Sequence, residues 1–137
     1  MPPDPEHVAE TRSWFMKAAR DLRAAERDLA DAPPLLDHAV FNAQQAAEKS
    51  MKGLLTWHNR PFRKTHNLVE LGEACAAVEP SLADLLRRAA PLTEYAWRFR
   101  YPGEPEEPAR EEAEGALRTA RELNGALLEQ LPADAKP

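Results

Sequence analysis

The chain has 137 residues, a net charge of −5 and a single cysteine, Cys75. This length predicts one domain over residues 1–137 with a core at about 6–131, and a lone cysteine excludes an intramolecular disulfide. The sequence contains no apolar stretch of the ~18 residues that a membrane span needs, and residues 1–6 do not resemble a signal peptide. We therefore expect a cytoplasmic protein with no membrane association.

The first predicted helix begins near Pro5 or Glu6 and ends at about Ala30. The adjacent residues Pro33 and Pro34 stop it, because a proline biases the residue before it away from helical conformation. Apolar residues recur at helical spacing along this segment. The expected buried stripe consists of Trp14, Ala18, Leu22, Ala25 and Leu29.

The second predicted helix, from about Leu36 to His58, consists mainly of strong helix formers. One face is apolar and rich in alanine: Val40, Ala43, Ala47, Met51, Leu54 and Leu55. A neighbouring line of residues, which we name the polar edge, carries Phe41, Gln45, Glu48 and Lys52 at helical spacing. Two interpretations of the polar edge stay open: a solvated surface, or a face that binds a ligand or a partner.

A basic loop over residues 59–64 follows, and Thr65 or Asn67 is the expected N-cap of a third helix. The segment Glu79-Pro80 interrupts that helix, and Ser81 is expected to cap a short continuation over residues 82–90.

The aromatic residues at positions 95, 97, 99 and 101 alternate as in a β-strand. Because the sequence offers no second strand for pairing, we expect a helical turn that runs into an extended loop. The last helix is predicted over about residues 108–131. The expected fold class is all-α, an antiparallel four-helix bundle with a short extra helix.

The first candidate site lies in the basic middle of the chain, where five residues separate Arg60 from His66. A ribonuclease that acts through the RNA 2′-hydroxyl needs a proton shuttle near neutral pH and a cation beside the phosphorane, and histidine and arginine suit these roles. The alternative is that His66 caps a helix beside an ordinary basic loop. The residues expected to form the basic half of a phosphate site are Lys49, Lys52, Arg60, Arg63, Lys64 and His66.

The second candidate site contains Arg98, Arg100 and Tyr101. An arginine binds phosphate through two parallel hydrogen bonds, and aromatic rings stack on bases, so this composition suits a nucleotide. The alternative is that the aromatic residues fill the core while the arginines pair with Glu104, Glu106 and Glu107. The sequence has no glycine-rich phosphate loop and no carboxylate pair with metal-ligand spacing, so we expect no cofactor and no metal.

Several motifs occur together in one order along the chain. They are FNAQQAAEK at 41–49, MKGLL at 51–55, THNL at 65–68, LTEY at 92–95 and RYP at 100–102. In this combination the chain resembles the HEPN family, whose name stands for higher eukaryotes and prokaryotes nucleotide-binding. The likeness extends from about Trp14 to the last helix.

The resemblance implies an all-α bundle that dimerises, with a minimal nucleotidyltransferase as its partner in a toxin–antitoxin type module. Some members of the family bind nucleotides, and others are metal-independent ribonucleases that carry an arginine, four to six residues, and a histidine towards the last helix. No histidine follows Arg98 or Arg100 here, whereas Arg60 and His66 have that spacing earlier in the chain.

The favoured hypothesis is a subunit that binds a nucleotide or an RNA phosphate. The alternatives are a metal-independent ribonuclease that uses Arg60 and His66, and a protein-interaction domain with no ligand. We also expect a homodimer in which two chains meet through a small-residue edge on the second helix, formed by Ala39, Ala43, Ala46 and Ala47. A specific interface should bury at least ~1,000 Å².

Overall fold

The computed structural model describes residues 3–103 and 106–137, and all regular structure in these ranges is helical. The α-helices are α1 Pro5–Ala30, α2 Leu36–Trp57, α3 Leu68–Val78, α4 Ala83–Ala89 and α5 Arg110–Leu128. Short 3-10 helices span Pro80–Leu82, Ala90–Ala96 and Ala133–Ala135. The all-α prediction is confirmed: four longer helices form the bundle, and α4 is the short extra one. Within these ranges, none of the helices could cross a membrane.

The buried face of α1 differs from the predicted stripe at both ends. Phe15 is fully buried, whereas Trp14 and Leu29 are only partly buried. The prediction of Trp14 as a core residue was therefore wrong, because its ring lies at the rim of the bundle. Its contacts there belong to the candidate site described below.

Helix α2 is the central element of the bundle, since α1, α3 and α5 all pack against it. Its small-residue edge is completely enclosed by the chain itself: Ala39, Ala43, Ala46 and Ala47 are each 0% exposed. The prediction that this edge joins two chains is wrong, because the surface is already used in folding. A dimer would have to form through other residues.

Both ends of the connection between α2 and α3 are fixed by hydrogen bonds that cap the adjoining helices. Asn59 adopts a left-handed conformation, with φ 55°. The Arg60 N–H donates to the Leu55 carbonyl at 2.9 Å and the Asn59 N–H to the Thr56 carbonyl at 3.0 Å, which is a Schellman motif. At the start of α3, the side chain of Asn67 accepts hydrogen bonds from two backbone N–H groups. Of the two predicted caps, Asn67 is the one that caps the helix.

The predicted role of Ser81 was wrong. Ser81 lies inside the 3-10 helix Pro80–Leu82, and among the described residues no side chain caps α4. A proline at the first position of that 3-10 helix already starts the turn, because it needs no N–H partner and its φ is fixed near the helical value.

Candidate functional site

Glu48 lies at the centre of the polar edge and is only 4% exposed. Its Oε1 atom is 2.7 Å from Nδ1 of His66, and its Oε2 atom is 3.0 Å from Nζ of Lys52. The side chain of Gln44 donates both to Glu48 Oε1 and to the backbone carbonyl of His66, each at 3.2 Å. A buried carboxylate is tolerated only when it is paired and hydrogen-bonded, and these contacts meet that condition. The interpretation of the polar edge as a solvated surface is therefore wrong at Glu48.

Lys52 is 8% exposed, although it carries a full charge. Besides its ion pair with Glu48, its ammonium group lies 5.7 Å from the ring centroid of Trp14 and 5.9 Å from that of Phe62. Aromatic faces attract cations at such distances. This contact accounts for the position of Trp14 at the rim of the bundle, where it covers the buried ion pair.

The imidazole of His66 is anchored on one side and open on the other. A carboxylate accepts hydrogen bonds but does not donate them, so Nδ1 carries the hydrogen in the neutral ring. The Nε2 atom has no partner within residues 3–103 and 106–137, and 62% of the side chain is exposed. His66 does not cap α3, since Asn67 does, so the capping interpretation was wrong. An oriented imidazole with a free Nε2 can accept a proton from, or donate one to, a ligand.

The other basic residues of the first predicted site fall into two groups. Lys49 pairs with Asp21 at 2.6 Å, and Arg63 pairs with Glu70 at 2.8 Å. Arg60 and Lys64 are exposed and form no side-chain hydrogen bond or ion pair with any described residue. The structure thus brings His66 to Glu48, a partner that the sequence analysis did not assign, and among the described residues no hydrogen bond joins His66 to Arg60.

The second predicted site is divided by its own contacts. Arg98 lies 2.9 Å from Glu94 and 3.9 Å from Glu112, so its charge is already matched. Tyr95 is buried and its hydroxyl donates to Glu112; burial, and next this hydrogen bond, raise the pKa of Tyr95. The prediction that Arg98 pairs with Glu106 or Glu107 is wrong, because its partners are Glu94 and Glu112.

Two further expectations about this segment need correction. Trp97 is 51% exposed and is not a core residue. Glu106 and Glu107 form no ion pair with either arginine in the described part of the chain, and Glu104 lies outside it. Tyr101 is 63% exposed, with its ring accessible for stacking.

Arg100 lies against α2 instead of an acidic residue. Its guanidinium carbon is 3.7 Å from the ring centroid of Phe41, a stacking distance. The two residues border a surface pocket of about 360 Å³, a volume within the range of small-ligand sites. The pocket is lined by Asp37, His38, Phe41, Asn42, Phe99 and Arg100. Phe99 adopts a left-handed conformation, with φ 70°, which is a strained state for a bulky residue at a pocket wall.

The two parts of the site share the polar edge. Phe41 and Glu48 are seven residues apart, which places them on the same side of α2 about 10 Å from each other along the helix axis. The His66 contact and the Arg100 contact therefore lie two helical turns apart on one surface. Sequence spacing indicated this edge, but it gave no sign that His66 and Arg100 reach it.

Comparison with known families gives one result. A model of the HEPN domain family matches residues 11–131, which include the whole of α2, α3, α4 and α5 and most of α1. Comparisons with curated proteins and with solved structures give no match. The matched range covers nearly all of the chain and contains every residue of the site described above. The chain therefore belongs to the HEPN domain family, an all-α family with nucleotide- and RNA-related functions.

Proposed function

We propose that this protein is a subunit that binds a nucleotide or an RNA phosphate on the polar edge of α2. The observation that supports this proposal most directly is the placement of His66 and Arg100 on one side of that helix. His66 is held by Glu48 with Nε2 outward, and Arg100 is stacked on Phe41 beside an open pocket. Both groups are fixed in position before a ligand arrives, which lowers the entropic cost of binding.

The ion pairs narrow the set of residues that would meet a phosphate. Four of the predicted cations already have a carboxylate partner, with which an incoming anion would have to compete. They are Lys49, Lys52, Arg63 and Arg98. Among the described residues, no carboxylate pairs with Arg60, Lys64 or Arg100. His66 pairs with Glu48 through Nδ1, and its Nε2 stays open. We assign direct phosphate contact to His66 and Lys64, which are near neighbours in the chain. Tyr101 offers an exposed ring for stacking.

Calorimetry with ATP, GTP and a short single-stranded RNA at low salt tests this proposal. A charge-assisted hydrogen bond contributes about 1.5–3 kcal/mol, so His66→Gln should weaken binding about tenfold or more. Arg23→Ala, which removes an exposed arginine of α1, is the control and should leave the affinity unchanged. Absence of heat with all three ligands would leave a protein-interaction domain as the remaining hypothesis.

A second function, metal-independent RNA cleavage, is favoured by the contact between Glu48 and His66. In that reaction Nε2 of His66 would take the proton of a 2′-hydroxyl, and the oxygen would attack the adjacent phosphorus. A 2′,3′-cyclic phosphate would form as the bond to the 5′-oxygen breaks, and that oxygen would take a proton from water or from a second chain's histidine. Arg60, which is exposed and has no carboxylate partner among the described residues, is the candidate to stabilise the phosphorane.

A cleavage assay separates this second function from simple binding. The reaction should proceed in EDTA, and His66→Ala should lower its rate about 10²- to 10⁴-fold, the usual worth of acid–base catalysis. Circular dichroism would verify that the helical content of the variant is unchanged. Intact RNA after incubation with the purified protein, with and without its partner, would reject the enzyme and leave the binding subunit.

We further propose that the protein forms a homodimer and works with a minimal nucleotidyltransferase in a toxin–antitoxin type module. This proposal is supported by the family membership and by the exposed Trp97, a residue type enriched in interfaces. Light scattering at concentrations on the order of tens of micromolar tests the dimer, for which an interface of at least ~1,000 Å² is needed. Coexpression and copurification with a nucleotidyltransferase encoded beside it tests the partner.

A further inference from the structure

We infer that the pocket beside Arg100 is a base-stacking subsite, and that a single nucleotide or nucleic-acid ligand places a base there while its phosphate lies at His66. This inference rests on the proposed function and assigns separate roles to the two ends of the polar edge. It gives Arg100 a role different from the phosphate contact that its residue type suggests.

The first argument is the geometry of the guanidinium group. The guanidinium carbon of Arg100 lies 3.7 Å from the ring centroid of Phe41, which is a stacking distance, and the Arg100 side chain is exposed. A flat, exposed guanidinium provides a second face on which a base can stack. Phe99, which also lines the pocket, adds a second aromatic ring to its wall.

The second argument is the charge of the pocket wall. Asp37 lines the same pocket, and it has no ion-pair or hydrogen-bond partner among the described residues. The Asp37 carboxylate offsets the charge of Arg100 on the same wall, so this pair gives the pocket no net positive charge to attract a phosphate. A base would instead be attracted, because its amino and imino N–H groups can donate to the carboxylate oxygens. The pocket therefore suits a base better than an anion.

The third argument is the distance between the two subsites. Phe41 and Glu48 are about 10 Å apart along α2, whereas hydrogen bonds reach only about 3 Å. From this separation of the two anchoring residues we infer that one phosphate does not serve both Arg100 and His66. A base joined through its sugar to phosphate groups can span the edge, and both a nucleoside triphosphate and a short strand have this form.

The test compares a triphosphate with and without a nucleoside, and adds an RNA strand. ATP, tripolyphosphate and a short 2′-O-methyl RNA, which lacks the attacking hydroxyl, are titrated into the full-length protein by calorimetry. We expect wild-type protein to bind ATP or the RNA more tightly than tripolyphosphate, by about tenfold for one stacked base. If ATP but not the RNA binds more tightly than tripolyphosphate, the natural ligand is a free nucleotide. If the RNA binds more tightly than ATP, the natural ligand is a nucleic-acid strand.

The discriminating variant is Arg100→Lys, because it keeps the charge and removes the planar face. We expect it to lower the affinity for ATP or the RNA about tenfold while tripolyphosphate binds as before. Arg23→Lys, on α1, is the matched control and should change none of the affinities. His66→Gln should weaken all three ligands.

Two results would overturn the inference while the proposed function stands. In one, wild-type protein binds tripolyphosphate and ATP equally, with both dependent on His66. In the other, Arg100→Lys binds the base-containing ligands as wild type does, which would make Arg100 a charge contact. If wild-type protein binds none of the three ligands, the proposed function fails and the inference fails with it.

Discussion

The ammonium group of Lys52 lies 3.0 Å from Oε2 of Glu48, and both side chains are almost completely withdrawn from water. The same carboxylate holds His66 through its other oxygen. Lys52 therefore pairs with one oxygen of Glu48, and the other oxygen of Glu48 fixes the ring of His66. The ion pair is a positioning element for the exposed imidazole.

Removal of Lys52 should leave an uncompensated charge in the protein interior. We expect Lys52→Met to lower the free energy of unfolding by about 3–5 kcal/mol, the usual cost when one partner of a buried ion pair is lost. Arg63→Met, which breaks an exposed pair with Glu70, is the control and should cost only about 0–1 kcal/mol. Urea denaturation of both variants measures the difference. A similarly small loss of unfolding free energy in both variants would show that the Glu48–Lys52 pair behaves as a solvent-exposed ion pair.

The hydrogen bond from His66 to Glu48 should be visible as a single tautomer. In wild-type protein at a pH where the ring is neutral, we expect Nδ1 to carry the hydrogen, because its partner can only accept. Glu48→Gln supplies an amide that can also donate, so the tautomer preference should weaken. Nitrogen chemical shifts of the imidazole, measured by NMR, report both states. A neutral ring with hydrogen on Nε2 in wild-type protein would contradict this contact.

Gly53 allows α2 to approach Phe15 closely. A β-carbon at Gly53 would lie 2.5 Å from Cε2 of Phe15, a ring that is fully buried. Gly53→Ala should therefore destabilise the protein by about 1–3 kcal/mol through overpacking. At Gly125, in α5, the same position has no described atom within 4 Å apart from the adjoining residues and backbone of its own helix, so Gly125→Ala should stabilise by about 1 kcal/mol through helix propensity alone. Thermal or urea unfolding gives both values, and a gain in both variants would refute the close approach.

The buried thiol of Cys75 should make stability depend on pH in the alkaline range. Burial raises its pKa from the ordinary 9.0 to about 12, so the unfolded chain loses this proton at lower pH than the folded chain. The stabilising contribution is complete below about pH 9 and is lost as the pH rises towards 12. Between about pH 9 and pH 11 the unfolding free energy of wild-type protein should fall more steeply than that of Cys75→Ala, by up to ~1.4 kcal/mol per pH unit.

The alanine variant of Cys75 provides its own control. Loss of the buried sulfur lowers the whole stability curve, whereas loss of the titrating group changes only its slope. Other groups that titrate in this range, including Tyr95, are present in both proteins and cancel in the comparison. Parallel curves for the two proteins would contradict the raised pKa of Cys75.

The sequence predicted the helices well because their signals are local. Pro5 and the two prolines after Ala30 bound α1, and Asn67 caps α3 through backbone groups two and three residues away. The register of α1 was predicted less well. Phe15 and Trp14 are adjacent aromatic residues, and periodicity alone does not choose between them. Phe15 is buried because Gly53, on another helix, leaves room for its ring.

By itself, then, the sequence predicted the fold class from the local signals of each helix, the family from motifs spread in one order along the chain, and the polar edge of α2 from residue spacing within that helix. Only the tertiary structure decided which groups meet. Glu48 and His66 are 18 residues apart, and Arg100 reaches Phe41 from a distant segment. It also decided which cations are already neutralised, as Lys49 is by Asp21. The physical reason is that ion pairs and burial depend on distances in space, which local spacing does not encode.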